Sequence, residues 1–219
     1  MPPDDDANAD PTRDAGDFST WLRELRGALD GGPGTDVPCG GCTACGASSQ
    51  FVHIEQDETE TLRHIPRALL FPAPQRPGHL LMGYDEHGRC PMLTDAGCGI
   101  YEHRPRTCRT YDCRVFAATG IDPGPDKPAI AERVRSWRFT YDGPAAEVEQ
   151  DALRASAAFL AEHPDTVPGG VPPAPVPHAV LAVEAVDAFL RDRPGAVPER
   201  VRPEVADVRV VLTTHRRHR

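Results

Sequence analysis

Lysine is all but missing from this chain of 219 residues: Lys127 stands alone, and the other basic side chains are arginines. The formal net charge is −9, so the basic excess that general nucleic-acid or anionic-membrane binding requires is absent. Aromatic residues make up 6% and hydrophobic residues 39%. That is little for a chain that is core throughout, and it points to disordered ends rather than a uniformly weak core. No apolar run is long enough to cross a bilayer, and the start, Met1-Pro2-Pro3 followed by aspartates, lacks the basic and apolar regions of a secretory signal. A cytoplasmic location is expected, where thiols stay reduced and a disulfide framework is disfavoured. Phosphate-cradling and dinucleotide-binding glycine loops, a Gly-x-Ser-x-Gly elbow and a His-Glu-x-x-His pair are all absent. No reaction is thereby assigned, and whether the chain is an enzyme stays open.

What is present is cysteine, confined to two stretches: Cys39, Cys42 and Cys45 in the first, Cys90, Cys98, Cys108 and Cys113 in the second. Seven is an odd number, which suits disulfides poorly. The Cys-x-x-Cys-x-x-Cys spacing with Gly40-Gly41 inside it lets a tight loop turn three thiols toward one point. Thiolate is the preferred ligand of zinc and of iron–sulfur clusters, so all seven cysteines are candidate metal ligands. A bacterial ferredoxin run would place a fourth cysteine at position 49 followed by proline, where this chain has Ser49-Gln50. A zinc ribbon would need a second Cys-x-x-Cys, which the later cysteines do not form. Five residues along a continuous helix turn by about 500°, leaving Cys108 and Cys113 about 140° apart. Either the helix breaks near Thr110-Tyr111 or the two serve different sites, and four plus three ligands would suit two adjacent sites.

The fold class expected is α+β, mostly α: a small cysteine-cluster domain with short strands, followed by a helical C-terminal extension. Residues 1–14 are acidic and apolar-poor, hence a disordered tail. An amphipathic helix over 17–30 carries Phe18, Trp21, Leu22, Leu25 and Leu29, with Asp17 placed to cap it. Short strands are expected at 51–54 and 79–84, a helix at 57–64, and a hairpin turn at 85–88 leading to Cys90. Pro105 suits the first position of a helix running through Cys108 toward Phe116, and a further helix spans 127–138. The cysteine-cluster domain is thus placed at 15–142. The extension, 143–192, has helices at 145–162 and 178–191, joined by a proline-rich linker over 164–177. The basic end, 193–219, reads as a frayed tail.

The pattern Cys39-x-x-Cys42-x-x-Cys45, Cys90, Cys98 and Tyr101-x-x-Arg104-Pro105-x-x-Cys108-Arg109-x-Tyr111-Asp112-Cys113 resembles the YkgJ-like cysteine-cluster family (CxxCxxCC) over residues 36–116. Members of that family are described as zinc- or iron-chelating, or iron–sulfur, proteins, so the resemblance implies metal binding without supplying a reaction. The family's first motif commonly ends in a Cys-Cys pair, and here Gly46 follows Cys45. His53, His103 and Asp112 are candidates to complete the ligand set. Arg104 and Arg109, and less so Arg106 and Arg114, are candidates to offset thiolate charge. Three readings remain open: an iron–sulfur protein with a redox or sensing role and a protein or redox partner, a zinc-stapled interaction module, and an enzyme with an open position on a three-cysteine site. Neither nucleic acid nor membrane is expected as a partner, and the cofactor is an iron–sulfur cluster or a zinc or iron ion.

Overall fold

The computed structural model describes residues 12–74 and 76–217. The acidic tail expected over 1–14 lies outside them except at its end, where Arg13 and Asp14 open the first strand. In chain order the elements are β1 (Arg13–Asp17), α1 (Phe18–Leu29), β2 (Val52–Ile54), α2 (Thr59–His64), β3 (Leu70–Pro72), β4 (Leu80–Met82), β5 (Leu93–Thr94), β6 (Gly97–Cys98), α3 (Arg106–Thr110) and α4 (Arg114–Thr119). There follow α5 (Pro128–Ser136), β7 (Trp137–Thr140), α6 (Pro144–Glu162), α7 (Pro175–Ala185), β8 (Leu190–Arg191), β9 (Glu199–Arg200) and α8 (Val205–Arg217). The mostly helical α+β class expected from the sequence is what the chain forms. Among the described residues, no helix is long and apolar enough to cross a membrane.

α1 begins where the Asp17 carboxylate accepts the Thr20 N–H at 2.9 Å, and it buries Phe18, Trp21, Leu22, Leu25 and Ala28 on one face. That face meets α6, the longest helix, whose Ala152, Leu153, Ala157 and Leu160 are buried. α4 supplies Val115 and Phe116, and α7 supplies Ala179, Leu181, Ala182 and Val183 to the same cluster. Ser156 Oγ, fully buried, donates to the Ala182 carbonyl at 2.9 Å and so satisfies the polar atom at the α6–α7 crossing. The helical extension therefore shares one apolar core with α1 and α4 instead of standing apart from the cysteine region.

Three differences from the sequence reading have physical causes. Trp137–Thr140 leaves the expected helix over 127–138 to form β7, paired in parallel with β1. α7 starts at Pro175, inside the expected linker, because proline needs no N–H partner in a helix's first turn. Leu190–Arg191, the last residues of the helix expected over 178–191, form β8, and the end expected to fray supplies its partner β9 and α8, whose Val208 and Leu212, one turn apart, enter the core.

A second, smaller cluster lies under the antiparallel sheet β2-β4-β3, where Val52, Ile54, Ile65, Met82 and Ile100 are buried. Cys90 and Cys108 pack against this cluster, whereas Cys113 and Ala44 pack against the helical core. The cysteine-bearing loops thus run along the boundary between the two.

Candidate metal centre

The first cysteine loop is shaped by its own backbone. The Cys42 N–H donates to the Cys39 carbonyl at 3.1 Å, and Ala47 closes a further turn on Thr43. The Cys90 N–H donates to the Gly46 carbonyl at 2.6 Å, which fastens the second stretch to the first. Lys127, the single lysine, donates to the Ser48 carbonyl at 2.5 Å. On the other side, the Thr35 N–H donates to the Arg109 carbonyl at 2.8 Å. Only glycine fits at position 34, where a Cβ would stand 2.6 Å from the Arg109 Cβ at a φ of +115°.

α3 stops at Tyr111, whose extended conformation breaks the helix between Cys108 and Cys113. This is the break that their 140° offset required on one of its two readings, and it sends the two thiols to different neighbours. Burial first, then the fields of the Cys45, Cys90 and Cys98 thiols, pushes the Cys108 thiol up to about 12. Burial likewise pushes Cys113 up to about 12, opposed by a hydrogen bond from Trp137 and reinforced by Asp112, Cys39 and Cys42. Cys39 and Cys90 are also raised, chiefly by burial. Cys45, partly open to solvent, is raised by desolvation of its sulfur and then by Cys42, with Cys98 adding to it. The seven thiols are all free, and their fields sort them into Cys39 and Cys42 acting on Cys113, which packs on the helical core, and Cys98 acting on Cys90 and Cys108, which pack on the small-sheet cluster. Cys45 lies between, within electrostatic reach of both.

The donor set fits zinc or iron: buried thiols are poor anions by themselves, and a bound cation is what makes thiolate favourable there. Outer partners are in place. The Trp137 indole N–H donates to Cys113 Sγ at 3.3 Å, and Arg133, stacked 4.7 Å from the Trp137 ring, donates to the Cys39 carbonyl at 2.6 Å. Among the described residues, however, no three sulfurs have mutual distances within 4.8 Å; the triad that does meet this limit is Glu60, His64 and His103.

The other expected residues divide. Arg104 lowers the thiol affinity for protons at Cys39 and Cys108 while its guanidinium lies 3.5 Å over the Tyr101 ring. Arg109 reaches the buried Glu58 carboxylate at 3.7 Å, and its Nε is buried without a partner. Arg106 is held by Glu55 and by Asp57. Asp112 is not a spare ligand: its carboxylate is fully engaged by the Trp21 indole N–H at 3.0 Å and by Arg114 at 2.7 Å. His103 stacks on His64, and His53 sits on β2 with a buried, unpartnered Nδ1. The sequence reading missed Trp137 and Arg133, because residues 94 or more positions from Cys39 announce such contacts only in space.

At Gly46, a Cβ would meet Leu93 at 3.2 Å and otherwise ordinary neighbours. Leu93 pairs with Cys98, so a side chain at 46 would enter the small-sheet group. No curated protein and no solved structure matches the chain. Residues 38–128, the segment that holds all seven cysteines, match the family model described as "CxxCxxCC: Putative zinc- or iron-chelating domain".

Proposed function

We propose that Cys39, Cys42, Cys45, Cys90, Cys98, Cys108 and Cys113 hold an iron–sulfur centre with a redox or sensing role, acting with a protein partner in a reducing compartment. The observation that carries this reading is that seven free thiols gather along one boundary, within reach of one another's fields. One tetrahedral ion takes four ligands, and thiolates alone are the usual donors to iron–sulfur clusters. Partial exposure of Cys45 and Cys98 leaves a path for electrons or a small effector. The cluster, when bound, supplies the electron chemistry; Trp137 and Arg133 orient the thiols, and Arg104 offsets their charge.

A second reading, a zinc-stapled interaction module without catalysis, is favoured by one observation. The small-sheet cluster buries few apolar side chains, and a structural metal can supply the folding energy such a region lacks. Metal and acid-labile sulfide analysis of anaerobically isolated protein tests both. Iron with stoichiometric sulfide and a brown colour is expected. A colourless protein carrying zinc would transfer the function to the second reading, and metal content unchanged by Cys42→Ser together with Cys108→Ser would remove both.

A further inference from the structure

Glu60 and His64 are one turn apart on α2, so their side chains leave the same face of the helix. The 3-10 turn Tyr101–His103 packs against α2 and brings His103 to that face. One ligand atom from each of the three side chains lies within 4.8 Å of the other two. The two imidazoles are stacked, their centroids 3.6 Å apart and their planes 8° from parallel. His64 Nδ1 lies 2.9 Å from the Glu60 carbonyl oxygen. A carbonyl can only accept, so this contact places the proton on Nδ1 and leaves the Nε2 lone pair free. A backbone carbonyl holding one ring nitrogen is the usual means by which a metal-binding imidazole is oriented. Arg63 occupies Glu60 Oε2 at 2.6 Å, which leaves Oε1 as the carboxylate's available oxygen.

We propose that Glu60, His64 and His103 form a second metal site, separate from the thiols, for a borderline divalent cation such as Zn²⁺, Fe²⁺ or Ni²⁺. Two imidazoles with one carboxylate suit these ions, whereas Ca²⁺ and Mg²⁺ take oxygen ligands. Three protein ligands leave coordination positions for water or an exogenous anion. Parallel rings direct their lone pairs along parallel lines, so binding must splay the stack until both nitrogens face one ion. Both rings have room to do so, since Glu60 and His64 are exposed and His103 is half-buried. The ion would clamp α2 to the turn that leads through Pro105 into α3, the helix bearing Cys108. The inference does not rest on the identity of the thiol-bound metal.

The test is titration of the isolated protein, its thiol centre intact, with Zn²⁺ followed by calorimetry. One equivalent beyond the thiol-bound metal is expected, and it should weaken by more than about 10–100-fold in His64→Gln and in His103→Gln, the loss that follows from removing even an outer-shell partner. Glu60→Gln should weaken it less, with circular dichroism and thiol content unchanged in all three. With Co²⁺ the added equivalent should give weak d–d absorption and no sulfur charge-transfer band. The site is refuted by an absent extra equivalent, by binding weaker than about 1 mM, by equal binding in the variants, or by a thiolate charge-transfer band.

Discussion

Around α6 the buried set includes Phe18, Trp21, Phe116, Leu153, Leu160 and Phe189; under the small sheet it amounts to Val52, Ile54, Ile65, Met82 and Ile100. Each large apolar side chain buried contributes about 1.5–3 kcal/mol, so the helical region has far more of this stabilisation. The small-sheet region relies on polar anchors instead. Glu58, buried, accepts the Glu55 N–H at 2.8 Å and the N–H of Arg106 at 2.5 Å, fastening the start of α3 to the turn before α2. The two regions meet through the cysteine loops, so a metal there would act where apolar packing is thinnest. Hydrophobic burial and cross-linking thus divide the molecule between them, and the division can be tested from either side.

The largest effect should come from ending the chain at Gly143. This removes α6, α7 and α8, and with them Leu153, Leu160, Val183 and Phe189 from contact with α1 and α4. Several such side chains exceed the net stability of about 5–15 kcal/mol that a domain possesses. The truncated protein should lack a cooperative thermal transition and hold no stoichiometric metal. A soluble, cooperatively folded fragment with full metal content would show that the cysteine region is autonomous after all.

Next in size is Asp112→Ala. Asp112 and Arg114 are both buried, and the same carboxylate anchors the Trp21 indole. Removing one member of a buried pair costs about 3–5 kcal/mol, because the other charge is left without compensation. The denaturant midpoint should fall accordingly. A shift within experimental error would mean that water reaches Arg114 and that the junction between α1 and α4 is looser than its packing implies.

A smaller, more local loss is expected from Glu58→Ala, about 1–3 kcal/mol for the N–H groups left unsatisfied. The consequence should be confined to the small-sheet side: faster hydrogen exchange in α3 and faster alkylation of Cys108, with α6 and α7 protected as before. Uniform loss of protection across both regions would erase the distinction drawn between them.

Which of these features could be read in the sequence follows from how local they are. α1 was legible because Phe18, Trp21, Leu22 and Leu25 repeat at helical spacing behind a capping Asp17. The break after Thr110 was legible as one of two solutions to the Cys108–Cys113 spacing. β7 was not, because four residues cannot reveal a period and its partner β1 lies more than 120 positions away. α8 was hidden by its arginines, since among its described side chains Val208 and Leu212 are the ones that reach the deep core. The Glu60-His64 spacing was visible on α2, but its meaning depends on His103, which only the fold brings there.

The smallest effect on stability, and the sharpest on the cysteine region, should come from Gly46→Cys. Position 46 does not need a left-handed backbone, and a Cβ there asks Leu93 to give by only a few tenths of an ångström from 3.2 Å. The stability change should stay within about 1 kcal/mol, well under the cost of overpacking a closed core. The new thiol would enter on the side of Cys90, Cys98 and Cys108, because Leu93 pairs with Cys98 and the Gly46 carbonyl holds the Cys90 N–H. Cys45 would then be free to join Cys39, Cys42 and Cys113, turning a shared thiol into two groups of four. Metal release to a chelator should slow by about tenfold or more, the scale on which added or lost partners alter metal affinity, and alkylation of Cys45 in the loaded protein should fall. If release is unchanged while Cys45 stays equally reactive, Cys45 does not divide its service between the groups. The thiols would then form one site with bystanders.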